Sequence, residues 1–127
     1  MMKKIGLSIL LLSMTAGAYA AGCATPKSAF DQVYCAGTLF AQVDHDLNVE
    51  YGNLRKSLKP SGLTALKQGQ LAWLKDRNDQ CSEEKPSGYF VNLDCANTMT
   101  QDRLVFLKAR ARECASTGCV ESKLGGR

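Results

Sequence analysis

Six cysteines in a chain of 127 residues restrict the possible folds more than any other feature of this sequence. An even number of cysteines in a short chain is typical of proteins that fold in an oxidising compartment. We expect the two local pairs that close short loops, with the remaining two cysteines paired to each other: Cys23–Cys35, Cys81–Cys95 and Cys114–Cys119. An exchange of partners among the terminal cysteines stays open. Each disulfide would contribute about 2–4 kcal/mol, mainly by restricting the unfolded chain.

The N-terminus carries the pattern of a signal peptide. Lys3 and Lys4 precede a nearly continuous apolar run over residues 5–14, and residues 18–20 read Ala-Tyr-Ala, as signal peptidase requires. The run is well short of the ~20 apolar residues that span a bilayer. We therefore predict that residues 1–20 are removed and that the mature protein lies in the periplasm or outside the cell, with no stable membrane span.

A lipid anchor is the alternative localisation. Residues 20–23 read Ala-Ala-Gly-Cys, a weak match to a lipoprotein signal in which Cys23 would be acylated. The first position of that signal is normally Leu, and acylation would leave an odd cysteine without a partner. The sequence therefore favours a mature protein without a lipid.

The charge of the chain argues against nucleic acid as a partner. Removal of the two N-terminal lysines would lower the formal net charge from +4 to +2. A nearly neutral domain lacks the basic excess of a nucleic-acid binder and the clustered Lys and Arg of a membrane-surface protein.

Apolar periodicity predicts an all-α fold, a small disulfide-stapled bundle of three main helices plus a short N-terminal helix. The short helix covers residues 26–35, and Gly37 is expected to separate it from the first main helix. Ser61 is the expected N-cap of the second main helix. The main helices are expected over residues 38–58, 62–81 and 96–114. One helical domain therefore spans residues 21–114. A polar tail follows over residues 115–127, which we expect to be disordered beyond Cys119.

Three charged residues lie on the apolar stripes of three different helices, namely Asp44, Arg77 and Arg103. Because an isolated buried charge is very costly, we expect Asp44 to bond to one of the two arginines. Asn48, Gln70 and Tyr51 could satisfy the remaining polar atoms. We interpret the group as a structural polar clamp, because two guanidiniums and one carboxylate offer no proton-transfer group near neutral pH.

Residues 82–94 are expected to form a loop, and the apolar run 89–91 is either a strand-like patch or, as we favour, a segment pinned to the core. A disulfide between Cys81 and Cys95 would order this loop and lower the entropy cost of docking. Three acids, one lysine and one tyrosine of this segment are the candidate partner-binding residues: Glu83, Glu84, Lys85, Tyr89 and Asp94. The alternative is an ordinary packed loop.

The chain resembles the LprI-like lysozyme inhibitor family of small exported bacterial proteins. Four segments between Cys23 and about Leu107 carry the resemblance. They are the opening pair Cys23 and Cys35; Leu39, Asp44, Leu47, Asn48 and Tyr51; Gln70, Trp73, Leu74, Arg77 and Cys81; and Cys95, Thr100, Arg103 and Leu107. The chain departs from the family at Leu71 and Asn78, and its last two cysteines lie beyond the usual motif.

The resemblance implies a binding protein that inhibits lysozyme by occluding the active-site cleft. An envelope-stress or immunity-type protein with another secreted partner is the alternative. An enzyme is the weakest interpretation, because no nucleophile, base or metal set converges in the sequence. We expect no cofactor and no metal, since the cysteines lack the spacing of a zinc site. Animal lysozymes are strongly basic, so the acids of the 82–94 loop could steer the encounter.

Overall fold

A computed structural model describes residues 23–126, and the predicted signal peptide lies outside these residues. The described chain contains three long helices, a β-hairpin between the second and third helix, and a short helix near the C-terminus. The elements are α1 (Ala29–Arg55), α2 (Pro60–Cys81), β1 (Ser82–Lys85), β2 (Gly88–Val91), α3 (Leu93–Ser116) and α4 (Glu121–Leu124). The helical class is confirmed, although residues 23–126 contain three long helices followed by a short one rather than three preceded by a short one.

Helix α1 replaces the two N-terminal helices expected from the sequence. It starts after Ser28, whose hydroxyl accepts a hydrogen bond from the Asp31 N–H, and continues through Gly37. The expected break at Gly37 was wrong because a glycine inside a helix costs only about 1 kcal/mol. The packing of α1 along α3, the most extensive helix contact in the described chain, outweighs that cost.

The other two long helices begin slightly earlier than expected. Pro60 occupies the first turn of α2, where its missing N–H costs nothing. Ser61 is therefore not the N-cap, and its hydroxyl instead donates to the carboxylate of Glu121 at 2.9 Å. Helix α3 begins after Asn92, whose side-chain oxygen accepts from the Cys95 N–H at 3.0 Å.

Residues 82–91 form an antiparallel β-hairpin, so the expectation of a loop pinned to the core was wrong. The register pairs Ser82 with Val91 and Lys85 with Gly88. Gly88 follows Pro86 and Ser87 in the turn. Its φ of +133° is a backbone conformation that residues with a Cβ rarely adopt. The side chain of Tyr89 is 81% exposed. The ladder satisfies the backbone polar groups without core contacts, which lets the hairpin project into solvent.

The core lies where the long helices meet. Its members are predominantly aliphatic, and Trp73 is the only tryptophan. The buried cluster consists of Leu47, Leu54, Leu66, Trp73, Leu107 and Leu124. All but the last belong to the apolar stripes that helical spacing predicts.

The C-terminal segment packs against the bundle, which corrects the expected disorder beyond Cys119. Leu124 in α4 is 1% exposed and belongs to the core. The backbone of Gly125 lies so close to Gly69 in α2 that a Cβ built on Gly69 would be 2.9 Å from the Gly125 Cα. One buried leucine and this close approach hold a segment that looks polar in the sequence.

Three disulfides cross-link the fold, with the pairing that the short loops favour: Cys23–Cys35, Cys81–Cys95 and Cys114–Cys119. The first joins the start of the described chain to α1, the second closes the base of the hairpin, and the third joins the end of α3 to the segment before α4. Within residues 23–126, no helix has the length and apolar character needed to cross a membrane.

Candidate protein-binding surface

The predicted polar clamp is divided into two separate bonding groups. In the first, the Arg77 Nη1 lies 3.4 Å from the carboxylate of Asp44 and 3.4 Å from the hydroxyl of Thr100. Asn48 donates to the same carboxylate at 3.3 Å. The Asp44 side chain is 37% exposed, so solvent screens this ion pair. Together with Thr100 of α3, the pair nevertheless connects all three long helices.

The second group surrounds Arg103, which is 2% exposed. Its Nε donates to the Gln70 side-chain oxygen at 2.8 Å, and its Nη1 donates to the Gly126 carbonyl at 2.6 Å. Among the described residues, no carboxylate lies within ion-pair distance of it. Burial lowers the pKa of Arg103 to about 10, so its guanidinium stays charged at neutral pH. Arg103 thus ties α2 and the C-terminal segment to α3.

Aromatic rings adjoin both arginines. The Arg77 guanidinium lies 5.0 Å from the ring centre of Trp73, and that of Arg103 lies 5.8 Å from the same ring. Phe106 covers Arg103 at 4.4 Å. Such contacts stabilise desolvated cations. Every polar partner named for these two groups comes from within the described part of the chain.

The hairpin presents the candidate partner-binding residues on two opposite faces. Residues that pair across the ladder share a face, so Glu84 lies beside Tyr89, whereas Glu83 lies beside Phe90. Lys85 belongs to the second face: its Nζ lies 2.7 Å from the Glu83 carboxylate and 5.1 Å from the Phe90 ring. The second face thus satisfies its own charges. Glu84 and Tyr89 remain available to a partner.

A pocket of about 620 Å³ opens next to the first hairpin face, and we call it the socket. Its walls come from the disulfide between Cys23 and Cys35, the first turns of α1, the end of β2 and the start of α3. The apolar side chains around it are partly or largely exposed: Val33, Leu39, Val91 and Leu93. Val33 is 64% exposed and Val91 is 58% exposed. Exposed apolar surface that lines a concave site is characteristic of binding sites.

The polar side chains that line the socket are Gln32, Asn97 and Asp94, and the last two contribute an amide oxygen and a carboxylate as acceptors. Asn97 is 5% exposed and donates through Nδ2 to the carbonyl oxygen of Ala36 at 3.1 Å. This bond orients the amide and leaves the buried Oδ1 of Asn97 without a hydrogen-bond donor among residues 23–126. Asp94, the fifth candidate residue, adds an exposed carboxylate at the rim, whereas no Lys or Arg lines the socket.

A second groove, of about 420 Å³, runs between α1 and α2. Its polar lining mixes both charge signs, with Asp44 towards one end and Arg55 and Lys67 towards the other. A basic partner would meet these two cations there. The socket therefore suits a basic partner better than this groove does.

Charge is distributed unevenly along the helix bundle. The half that contains the hairpin and the socket, residues 23–41 and 71–104, has seven carboxylates and five Lys or Arg side chains, a net charge of −2. The opposite half, residues 42–70 and 105–126, has five carboxylates and eight Lys or Arg side chains, a net charge of +3. The described chain, nearly neutral as a whole, thus has one acidic and one basic end.

Sequence reasoning missed most of the socket. Val33, Leu39 and Asn97 were not among the candidate residues. The first two are far from the 82–94 segment along the chain, and Asn97 falls inside the predicted third main helix. The available signal was the apolar series Phe30, Val33 and Tyr34, which has helical spacing in the first turns of α1. The first two residues are 89% and 64% exposed. Among the described residues, no three His, Cys, Asp or Glu side chains gather in a way that could hold a metal ion.

Comparison with known proteins identifies a family for the chain. Residues 23–107 match the family described as lysozyme inhibitor LprI, a region that begins at Cys23 and ends in α3. Searches of curated proteins and of solved structures find no significant match. The matched region contains the socket, the hairpin and both arginines, and it covers about two thirds of the sequence. The chain therefore belongs to the LprI family of lysozyme inhibitors.

Proposed function

We propose that this protein is exported and inhibits lysozyme by binding over the active-site cleft with its acidic end. The observation that carries the proposal is the family match over residues 23–107, because the matched family is one of inhibitors. On this proposal, inhibition requires no chemistry from the inhibitor, since a bound protein that fills the cleft excludes the polysaccharide substrate.

The surface of the acidic end supports this proposal. Glu84 and Tyr89 project from the first hairpin face, beside the socket with its exposed Val33 and Val91. An apolar centre with polar side chains around it is the usual composition of a protein interface. Tyrosine is also enriched among the residues that dominate binding energy. The net charge of −2 in this half favours encounter with a strongly basic enzyme.

The disulfide at the base of the hairpin supports a rigid mode of binding. Cys81 and Cys95 join the end of α2 to the start of α3, and the backbone N–H of Asn92 donates to the Cys81 carbonyl at 2.7 Å. A hairpin fixed in this way loses little conformational entropy when it docks.

A cell-clearing assay tests the proposal. Hen or human lysozyme is mixed with the disulfide-bonded protein, and the loss of turbidity of a bacterial cell suspension is followed. We expect clearing to slow as the protein is added, and substitution of Glu84 by Lys to weaken inhibition by about tenfold. Reversing this charge places a cation on the face that meets the basic enzyme.

The matched control is Glu50→Lys, which makes the same charge change in α1 in the opposite half of the bundle. It should inhibit about as well as the unchanged protein. Clearing at an undiminished rate in a large molar excess of the protein would discard lysozyme as the target. Recovery of a different protein from periplasm or culture medium would then favour the envelope-stress or immunity-type alternative.

A further inference from the structure

We propose that the socket receives one arginine side chain of the basic partner, as an anchor for the complex. This inference rests on the proposed function for the identity of the partner, but the socket can be tested without lysozyme. The choice of arginine follows from the apolar and acidic residues that line the socket and from the buried Asn97 oxygen that has no donor.

The walls of the socket match the stem of an arginine side chain. Val33, Leu39, Val91 and Leu93 present methyl groups around the opening, and no charged side chain other than Asp94 lines it. The methylene groups of arginine gain by contact with such walls while its charged head reaches a polar site. A volume of about 620 Å³ accommodates the whole side chain.

Two acceptors among the residues that line the socket match the guanidinium of an arginine side chain. Asn97 Oδ1 has no donor among residues 23–126, and an unsatisfied buried acceptor costs about 1–3 kcal/mol. The Asp94 carboxylate lies at the rim in the first turn of α3 and has no ion pair within the described chain. Because a guanidinium carries several N–H donors in one plane, it can reach an amide oxygen and a carboxylate together.

The charge of the site selects a cation over a neutral aromatic donor. The N-terminus of α3 carries a partial positive charge that would repel a cation, and the full negative charge of Asp94 offsets it. The surrounding half of the molecule has a net charge of −2. An arginine would therefore gain a hydrogen bond, an ion pair and apolar contact at one place.

The first experiment uses the disulfide-bonded protein and a probe that carries only the arginine side chain. Nα-acetyl-argininamide is titrated into the ¹⁵N-labelled protein and compared with Nα-acetyl-citrullinamide, which has the same shape without the charge. We expect the arginine probe to shift the side-chain amide of Asn97 and the backbone amides of Val33 and Val91 at concentrations at which the citrulline probe does not. Equal shifts with both probes, or no shift at Asn97, would overturn the proposal.

The second experiment blocks the socket in the complex. Val33→Arg places a cation of the protein itself at the opening, and Val105→Arg makes the same change at an equally exposed position of α3, 63% against 64%. We expect the first variant to bind lysozyme about tenfold more weakly and the second to bind within about twofold of the unchanged protein. The melting temperatures of both variants are measured as a control, to establish that each variant is folded.

The outcomes separate this inference from the proposed function. If the unchanged protein binds lysozyme and the two valine variants bind equally well, the socket is not the anchor although the function stands. If the arginine probe occupies the socket and lysozyme does not bind, the socket is retained and its partner is another basic protein.

Discussion

Asp44 in α1 and Arg103 in α3 both lie on the apolar stripes predicted for their helices, but their burial differs. The Asp44 carboxylate is 37% exposed and lies 3.4 Å from its arginine partner. Arg103 is 2% exposed, and its Nε and Nη1 make hydrogen bonds of 2.8 and 2.6 Å. Removal of Arg103 would leave the Gln70 oxygen and the Gly126 carbonyl without their donor, and an unpaired buried acceptor is costly. The free energy of folding therefore depends more on Arg103 than on Asp44.

Substitution of each residue by Ala tests this difference. We expect Arg103→Ala to lower the free energy of unfolding by about 3 kcal/mol or more, because it removes two buried hydrogen bonds and leaves a cavity. Asp44→Ala should lower it by about 1 kcal/mol, since the pair that it breaks is half-exposed and screened. Urea denaturation followed by the fluorescence of Trp73 measures both values. An equal loss in the two variants would contradict the division of the clamp into two groups.

At the scale of elements, the C-terminal segment acts as the fourth side of the core. Helix α4 has only four residues, too few to be stable alone. It is held by Leu124 in the core, by the Ser61–Glu121 hydrogen bond and by Lys123, whose Nζ lies 3.3 Å from the Glu113 carboxylate. Its order depends on tertiary contacts and not on helix propensity.

Leu124→Ala should therefore destabilise the protein by about 2–5 kcal/mol, as expected for a leucine removed from a well-packed core. The matched control is Leu71→Ala in α2, which deletes the same atoms from a side chain that is 56% exposed. This control should change the free energy of unfolding by less than about 0.5 kcal/mol. Urea denaturation compares the two variants. Equal stability would show that the segment does not belong to the folded unit.

The stability of the hairpin depends on its attachment to the helices. A two-stranded hairpin is marginally stable by itself in water. Here its ends are joined to two long helices, one of which begins at the Asn92 cap, and the disulfide between Cys81 and Cys95 closes its base. Because the scaffold holds the ends, the strands can carry exposed Tyr89 and Val91 without contributing to the core.

At the scale of the whole molecule, the disulfides and the distribution of charge agree with a protein that works outside the cytoplasm. All six cysteines are paired in the structure. The sulfur of Cys23 is bonded to that of Cys35 and is not available for a lipid in this form. The net charges of −2 and +3 in its two halves give the described chain an electrical polarity.

Intact mass spectrometry tests the export of the whole molecule. Protein recovered from the periplasm or medium should begin at Ala21, and its mass should rise on reduction by the hydrogens of three disulfides. The physical reason is that signal peptidase acts, and disulfides persist, only beyond the cytoplasm. A retained leader, free thiols or the added mass of a lipid on Cys23 would contradict this prediction.

The local pattern of the sequence determined the helical class and the inward residues of the three long helices. Apolar spacing identified Leu47, Leu66 and Leu107 as core residues because side chains three and four positions apart share one helix face. The short spacing of the cysteines favoured the pairs that the structure has. Each of these inferences depends on residues close together in the chain.

Only the tertiary structure decided how distant segments combine. Packing against α3 carried α1 through Gly37, and one buried leucine ordered a segment of polar composition. The socket joins Val33, Val91 and Asn97, which come from three elements. No local pattern marks these residues as neighbours, because the packing of α1 against α3 beside the end of β2 creates the cavity between them.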